Sequence, residues 1–479
     1  MPFSGQFVFP KNELSFKNFL EVNMFKPVIF REYDIRGVYN GEFDDHFAYL
    51  LGRSYIVYMK EVAKVSNPTI AIGHDARLSC PAIVKNLAKG MTDSGAKVLH
   101  LGLVTTPVCY FATFDIPEVQ GAIQVTGSHN PPEYNGFKIS VGKGTIFGEE
   151  IQRLRKIMEK GEFIDGQGSE ENFDIKPQYY ARYKKEFGNI GDIKVVLDCG
   201  NGAGGSVVRG LFNAVGLNPT ILFEEPDGRF PNHHPDPTVE HNLEDLKAAV
   251  AKEKAICGIG FDGDADRIGV IDHTGRMIYG DELMVIISRA ILAETKGAKI
   301  IGDVKCSDRL YQDVANHGGI PIMWKTGHSL VKEKIKIEKA PFGGEMSGHI
   351  FFADRNYGYD DAPYAALRLI EIIAKSGKTI PELLEGLPPS FNTPEIRIDT
   401  TEEKKVLIVE KMIEAFPAKE GADYKVDFTD GIRLSFADGW ALCRASNTQP
   451  VLVVRYESSS QEGLDKIRGR VEAVVNKYL

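Results

Sequence analysis

The sequence predicts an α/β protein: three similar mixed-sheet α/β domains plus a C-terminal antiparallel α+β domain around a central cleft. Three observations predict it. A strand-helix-strand pattern recurs three times along the chain. Each recurrence is followed by a glycine-bearing apolar run that opens into a polar loop. The last stretch departs from this pattern and reads as short strands joined by brief turns.

Taken in order, the chain begins with a lead, 1–28, that fits none of these units. Phe30-Arg31-Glu32-Tyr33-Asp34-Ile35-Arg36-Gly37 then gathers aromatics and two arginines ahead of a helical pattern over 44–62. The first unit is a strand over 69–73, a helix over 81–94 and a strand over 97–101. The same order returns at 194–198, through the glycine-rich 200–204 and a helix, to 220–223. It returns again at 299–303, through a helix over 308–316, to 320–323. Right-handed crossovers between such strands give mostly parallel sheets. The later apolar runs are 121–125 before Ser128, 258–261 before Asp262 and 342–344 before Glu345. If these are corresponding strands, all three loops lie at carboxyl ends of strands and face one cleft. The last unit holds strands near 395–398, 431–436, 440–444 and 451–456, a helix over 403–415 and a closing helix. Breaks near Gly168, near Gly275 and in Leu387-Pro388-Pro389 divide the chain into 1–28, 29–170, 171–275, 276–389 and 390–479.

The bulk numbers agree with several domains, because 479 residues are too many for one core. A formal charge of -9 with no run of Lys and Arg argues against nucleic acid. Cys80, Cys109, Cys199, Cys257, Cys306 and Cys443 stand singly, without metal-ligand spacing, as small core residues in a reducing compartment. No basic segment followed by an apolar core opens the chain, and nowhere do eighteen apolar residues run together. A cytoplasmic protein with no membrane partner is expected, and a monomer.

The loops carry the chemistry. In Thr126-Gly127-Ser128-His129-Asn130-Pro131, Gly127 is expected to supply unusual backbone angles while Asn130 and the Pro131-Pro132 pair stiffen the turn, so that the Ser128 hydroxyl is presented rather than packed. Tyr134-Asn135-Gly136 reads as a turn and Phe137-Lys138-Ile139 as a returning strand that brings the Lys138 ammonium back towards Ser128 and His129. Alone, the same residues also describe an ordinary tight polar turn. Asp262-Gly263-Asp264-Ala265-Asp266-Arg267 spaces three carboxylates so that they can fold around one point. Like charges about 4 Å apart repel by roughly 4 kcal/mol at an effective dielectric near 20, so converging aspartates are costly unless a cation joins them, and hard oxygens at an open site suit Mg²⁺; alone, the loop also describes a solvated acidic turn. Gly344-Glu345-Met346-Ser347-Gly348-His349 offers a carboxylate and a hydroxyl to neighbouring sugar hydroxyls. Arg444-Ala445-Ser446-Asn447-Thr448-Gln449-Pro450 offers a guanidinium, hydroxyls, an amide and turning backbone N–H groups, a description that fits phosphate. Lys305 and His328 stand just past strand ends in the third unit.

Together the four loops resemble the α-D-phosphohexomutase superfamily, and most closely its bacterial phosphomannomutase/phosphoglucomutase branch, from about Phe30 to the chain end. The resemblance implies that Ser128 is the phosphorylated carrier and completes a Mg²⁺ site with Asp262, Asp264 and Asp266. It implies sugar recognition by Glu345, Met346, Ser347, Gly348 and His349, and a hold on the non-reacting phosphate by Arg444, Ala445, Ser446, Asn447 and Thr448. It places Tyr33, Arg36, Lys305 and His328 along the cleft, and Arg267 and Lys138 beside the transferring phosphoryl group. Ala265 departs from the frequent glycine, and its methyl is expected to leave the ligands undisturbed.

The expected reaction is reversible interconversion of the 1-phosphate and 6-phosphate of glucose or mannose, through a phosphoserine and a bound glucose 1,6-bisphosphate or its mannose equivalent. Lys138 and His349 are candidate acid and base, with His129 behind them. The competing readings are a phosphoglucosamine mutase, a Mg²⁺-dependent phosphatase and a non-catalytic sugar-phosphate binding protein. The intact serine and three aspartates argue against the last, because binding alone needs none of them.

Overall fold

The computed structural model describes residues 25–447 and 449–479; the lead up to residue 24 and Thr448 of the expected phosphate loop lie outside the described residues. Four sheets follow one another along the chain. In the first, Thr69–His74 lies between Lys97–Leu103 and Val119–Val125, parallel to both, and Tyr134–Val141 returns antiparallel to Val119–Val125. In the second, Val195–Asp198 lies parallel between Thr220–Leu222 and Cys257–Phe261, and Ile268–Asp272 returns antiparallel. In the third, Lys299–Asp303 lies parallel between Ile320–Trp324 and Phe342–Gly344, and Ile350–Phe352 returns antiparallel. The repeat read from the sequence is therefore a repeat of topology: three parallel strands closed by one hairpin. The serine, aspartate and glutamate loops are the three hairpin connections.

The fourth sheet is antiparallel throughout, with Val451–Ser458 and Gly439–Ala445 at its centre. Helices Glu402–Ala415 and Gln461–Tyr478 pack against it, which is the expected α+β domain. Tyr424–Asp427 was not expected as a strand, and its exposed, charged residues explain why no apolar run marks it. A second difference is Tyr134-Asn135-Gly136, which begins the strand Tyr134–Val141 instead of forming a turn. The polar pair is drawn into the ladder because Ile35–Val38 adds alongside, with Arg36 opposite Gly136. A side chain on Gly136 would meet the Ile35 carbonyl at 2.2 Å, so glycine is needed there for close strand approach.

One continuous apolar core runs through the first three domains, from Ala71 and Leu101 through Leu197 and Ile259 to Phe342 and Ile370. The fourth domain has its own core around Ile408, Leu434, Leu452 and Val471. It docks on the third through a small apolar cluster of Val304, Trp440 and Leu442 and through polar contacts: Arg433 donates to the Cys306 carbonyl at 3.0 Å and to Asp308 at 2.6 Å, and its guanidinium lies over the Trp440 ring. The division of cores predicts where the molecule can bend. None of the described helices is long and apolar enough to cross a membrane.

Helices Asp45–Glu61 and Cys80–Thr92 cross on glycine: a Cβ on Gly52 would lie 2.3 Å from the Leu87 carbonyl oxygen, and one on Gly90 2.0 Å from that of Tyr49. Gly90→Ala is expected to destabilise the first domain by about 1–3 kcal/mol through overpacking. Urea unfolding followed by tryptophan-independent far-UV circular dichroism reads this, and an unchanged midpoint would mean that the backbones are not in contact.

Candidate active site

Ser128 is the residue that takes the strained conformation in its loop, with φ at 50°, in the left-handed region. Gly127, expected to play that part, does not have positive φ; it is glycine because a Cβ would lie 2.5 Å from the Arg77 guanidinium. Arg77 is fully buried and ties the loop down, donating to the carbonyls of Ser128 at 2.8 Å, Asn130 at 2.5 Å and Tyr134 at 2.9 Å. Asp75, just past the end of Thr69–His74, takes the Arg77 Nε at 3.1 Å and the Thr126 hydroxyl at 2.7 Å, and Thr126 in turn accepts the Ser128 N–H at 2.8 Å. These bonds fix the main chain on both sides of Ser128. The hydroxyl is not presented as expected: Ser128 is 1 % exposed, because the loop folds against the aspartate loop. Its Oγ donates to Asp262 Oδ2 at 3.0 Å and lies 3.2 Å from His129 Nδ1.

The aspartate loop meets it closely, since a Cβ on Gly263 would stand 2.4 Å from the Ser128 carbonyl. Asp262, Asp264 and Asp266 are all fully buried, and one carboxylate oxygen from each lies within 4.8 Å of the others. Asp262 Oδ1 accepts the N–H groups of Asp266 and Arg267 at 3.1 Å each, which closes the turn. Ala265 carries the left-handed angle here, φ 57°, with its methyl buried, which explains why glycine suits this position. Lys138 Nζ bridges Asp264, at 2.7 Å, and Asp266. It therefore lies behind the triad, and its link to Ser128 runs through the aspartates.

The electrostatics follow from crowding. Burial, then the neighbouring Asp264 and Asp266, push the Asp262 carboxyl well above the ordinary range. Burial also opposes ionisation of Asp264, but Lys138 and the Thr106 hydroxyl outweigh it and hold that carboxyl down. For Lys138, burial favours the neutral amine, yet the three aspartates prevail and raise its pKa. Asp264 Oδ1 and Asp266 Oδ1 are buried with no hydrogen-bond partner among the described residues. Hard carboxylate oxygens, packed together and short of donors, suit a divalent cation such as Mg²⁺.

Across the cleft, Arg267 Nε donates to His349 Nε2 at 3.0 Å, and His349 Nδ1 lies 3.1 Å from Asp360 Oδ2. His328 stacks on His349, and burial and Lys332 push its pKa well below the usual value. Glu345 receives the Gly327 N–H and, at 3.2 Å, the Ser347 hydroxyl. Burial raises its carboxyl pKa. Gly344 and Gly348 are needed for close packing, since side chains there would meet Met284 and the Ile268 carbonyl. Arg36 is held by Asp34 and by Asn130 Oδ1, 2.8 Å away.

In the fourth domain Arg444 Nε donates to Asp430 at 2.9 Å, and Asn447 Nδ2 donates to the Tyr33 hydroxyl at 2.5 Å. That hydroxyl donates a hydrogen bond to the Thr326 carbonyl at 2.6 Å, so domains one, three and four meet there. Lys305 is paired with Glu395 at 3.0 Å; burial lowers its pKa but Glu395 and Asp303 raise it further.

A cavity of about 580 Å³ joins these groups. Tyr33, Arg36, His129, Arg267, Lys305, His328, Glu345, Met346, Ser347, His349, Arg444, Ser446 and Asn447 line it. Ser128, Lys138, the three aspartates, Gly348 and Ala445 are not part of the lining, although Ser128 lies beside His129 and Asp262 is bonded to the Arg267 N–H. Sequence reasoning missed Asp75, Arg77 and Asp360. The first two had a signal, an acid and a base just past a strand's carboxyl end; Asp360, in Tyr359-Asp360-Asp361, follows a turn that no motif marks.

The fold and site define a four-domain enzyme architecture, with a serine beside an acidic cation cradle on one side of a cleft and a phosphate-type loop on the other. Residues 27–165, 176–275, 279–391 and 395–474 match, in order, the phosphoglucomutase/phosphomannomutase α/β/α domains I, II and III and the C-terminal domain. The chain is 43 % identical over 440 residues to a phosphomannomutase/phosphoglucomutase of Pseudomonas aeruginosa, covering 92 % of this chain and 94 % of that one. It is 42 % identical over 450 residues to a phosphoglucomutase of Neisseria gonorrhoeae, covering 93 % and 96 %. The crystal structure of a phosphoglucomutase/phosphomannomutase family protein from Burkholderia thailandensis, 40 % identical, superimposes with a TM-score of 0.87 over 94 % of this chain and 98 % of that one. The chain belongs to the phosphoglucomutase/phosphomannomutase family, on the bacterial branch of the α-D-phosphohexomutases, and is a mutase that transfers phosphoryl groups.

Behind the aspartate loop, His233 Nε2 lies 3.2 Å from Asp198, and Gly200 packs on the His233 ring. Burial lowers the His233 pKa, but Asp198 more than compensates and the net shift is upward. A raised folded pKa stabilises below the unfolded value near 6.5 and is lost as pH rises through the folded value. His233→Gln is therefore expected to cost more stability at pH 5.5 than at pH 8.5, measured by thermal unfolding; an equal loss at both would reject the charged pair.

Proposed function

We propose that the enzyme interconverts the 1-phosphate and 6-phosphate of glucose and mannose by passing a phosphoryl group through Ser128. The observation that carries this is one contact: the Ser128 hydroxyl, in a strained turn, bonded to Asp262 of a buried triad with unpartnered oxygens. A hydroxyl that only satisfied backbone groups would need no such neighbour.

In this reading a free sugar hydroxyl attacks the phosphorus of phospho-Ser128, the bond to the serine oxygen breaks, and a glucose 1,6-bisphosphate or its mannose equivalent results. The sugar then turns, its other phosphate passes to Ser128, and the proton taken in the first step is returned. We assign the proton transfers to His349, which lines the cleft and has Asp360 behind its Nδ1. Lys138 is the weaker candidate, because the aspartates hold it as an ammonium. Arg36 and Arg267 face the transferring group, with His129 beside the serine oxygen. Glu345, Met346 and Ser347 meet the sugar hydroxyls, with Lys305 and His328 along the same wall. Arg444, Ser446 and Asn447 hold the phosphate that is not being transferred, and Tyr33 links that loop to domain one. Asp262, Asp264, Asp266 and an oxygen on Ser128 would hold Mg²⁺, which when bound neutralises charge on the phosphoryl group and keeps it in line.

Because both phosphates of the bisphosphate have to visit the serine, the cleft has to loosen for the turn and close for the transfer, shutting out water that would hydrolyse the phosphoserine. A fourth domain with a separate core suits that movement. The same reading includes a cytoplasmic monomer, divided at about 170, 275 and 389, whose partners are small hexose phosphates.

Intact-protein mass spectrometry with peptide mapping is expected to find one phosphate on Ser128 that is exchanged for the isotopically labelled phosphate of added glucose 1-phosphate or mannose 1-phosphate. Ser128→Ala and Asp264→Asn should each lower turnover on the order of a thousandfold or more while leaving the circular dichroism spectrum intact. Stoichiometric release of inorganic phosphate would identify a phosphatase instead, and near-normal turnover in both variants would reject the serine relay.

A further inference from the structure

Arg397 belongs to none of the motifs that drew attention to this cleft, yet it lines the cleft. It lies on the strand Ile396–Asp399, whose residues alternate between half-buried and exposed, with Ile396 and Ile398 against the domain core. Arg397 is opposite Val453, and Val453 on its other side is opposite Arg444. Residues directly opposite one another in an antiparallel sheet point to the same face. Arg397, Val453 and Arg444 thus form one row across the fourth sheet, and all three line the cavity. Strands about 4.8 Å apart put the two arginines roughly 10 Å apart at the backbone, with the small Val453 between them, so two long guanidinium side chains can close on one phosphate.

The side chain is already aimed. Arg397 Nη1 donates to Glu395 Oε1 at 3.0 Å and Nη2 donates to Gln449 Oε1, while the Gln449 N–H is bonded to the Ser446 hydroxyl at 3.3 Å. Its guanidinium is therefore joined to the loop that Arg444 to Gln449 form, and 45 % of the side chain remains exposed to the cleft. Arg444 is matched by Asp430, while Glu395 is shared between Arg397 and Lys305, so removing Arg397 takes one positive charge from the wall that a phosphate dianion would meet.

The geometry points to Arg397 as a second arginine for the non-transferring phosphate, which also retains the bisphosphate while it turns. This rests on the mutase reading above. The subsite serves the 1-phosphate in one half-reaction and the 6-phosphate in the other, so the loss should be shared by both substrates.

The test compares steady-state kinetics of the wild type, Arg397→Ala and Arg397→Lys with glucose 1-phosphate, glucose 6-phosphate and mannose 1-phosphate. Arg397→Ala is expected to raise KM about tenfold or more for each, with kcat falling less than about threefold, in keeping with the loss of a charge-assisted fork. Arg397→Lys should recover part of KM, because it restores charge without the planar fork. Arg397→Ala should also need more added glucose 1,6-bisphosphate for full rate, since the bisphosphate escapes more often. Inorganic phosphate, used as a competitive inhibitor, should bind about tenfold more weakly. KM values and phosphate inhibition within twofold of wild type would overturn the assignment, as would a loss confined to kcat. A wild type that does not turn over any hexose phosphate would instead remove the mutase reading itself.

Discussion

Three aspartate carboxylates buried around one point set the terms for the rest of this active site. Without positive charge, such a cluster would protonate or spread apart, and the raised Asp262 pKa records that tension. The chain answers it with the Lys138 ammonium across Asp264 and Asp266, with backbone N–H groups on Asp262, and with a hydroxyl on each flank, Ser128 and Thr106. Two carboxylate oxygens still lack partners. Those oxygens suit a divalent cation, and the proposed Mg²⁺ would lie beside the serine that the aspartate loop already touches.

The scaffold supplies this arrangement by repetition. Each of the first three domains closes a parallel trio with an antiparallel strand, and the hairpin connection carries the chemistry: Ser128, the aspartates, and Glu345 to His349. The shared core holds the three connections in fixed relation. The fourth domain contributes a phosphate-type loop from a body with its own core, joined by the apolar cluster of Val304, Trp440 and Leu442 and by polar contacts such as Arg433 to Asp308 and Asn447 to Tyr33. In the proposed reaction, which presents the same sugar in two orientations, three loops come from domains that share a core and the fourth from a domain with a core of its own.

Much of this was legible in the sequence. The apolar runs at 69–73, 194–198 and 299–303 mark central strands because parallel strands are buried on both faces. The spacing of Asp262, Asp264 and Asp266 marked the cradle. What escaped was set by three-dimensional neighbours. Gly127 and Ser128 exchanged their expected conformational roles because Arg77, fifty residues earlier in the chain, occupies the space a side chain on Gly127 would need. Lys138 went to the aspartates, whose distance along the chain gave no hint of the contact. Asp360 and Arg397 joined the site through register and packing, on segments whose local pattern describes only a turn and an exposed strand.

The most direct measurement is divalent-ion binding, read by electron paramagnetic resonance with Mn²⁺ as the probe, on the wild-type chain and on Asp262→Ala and Asp266→Ala variants checked for folding. The account predicts one tight site per wild-type chain, displaced by Mg²⁺ and lost in both variants. A wild-type chain that binds no ion, or variants that keep the same tight site, would contradict it.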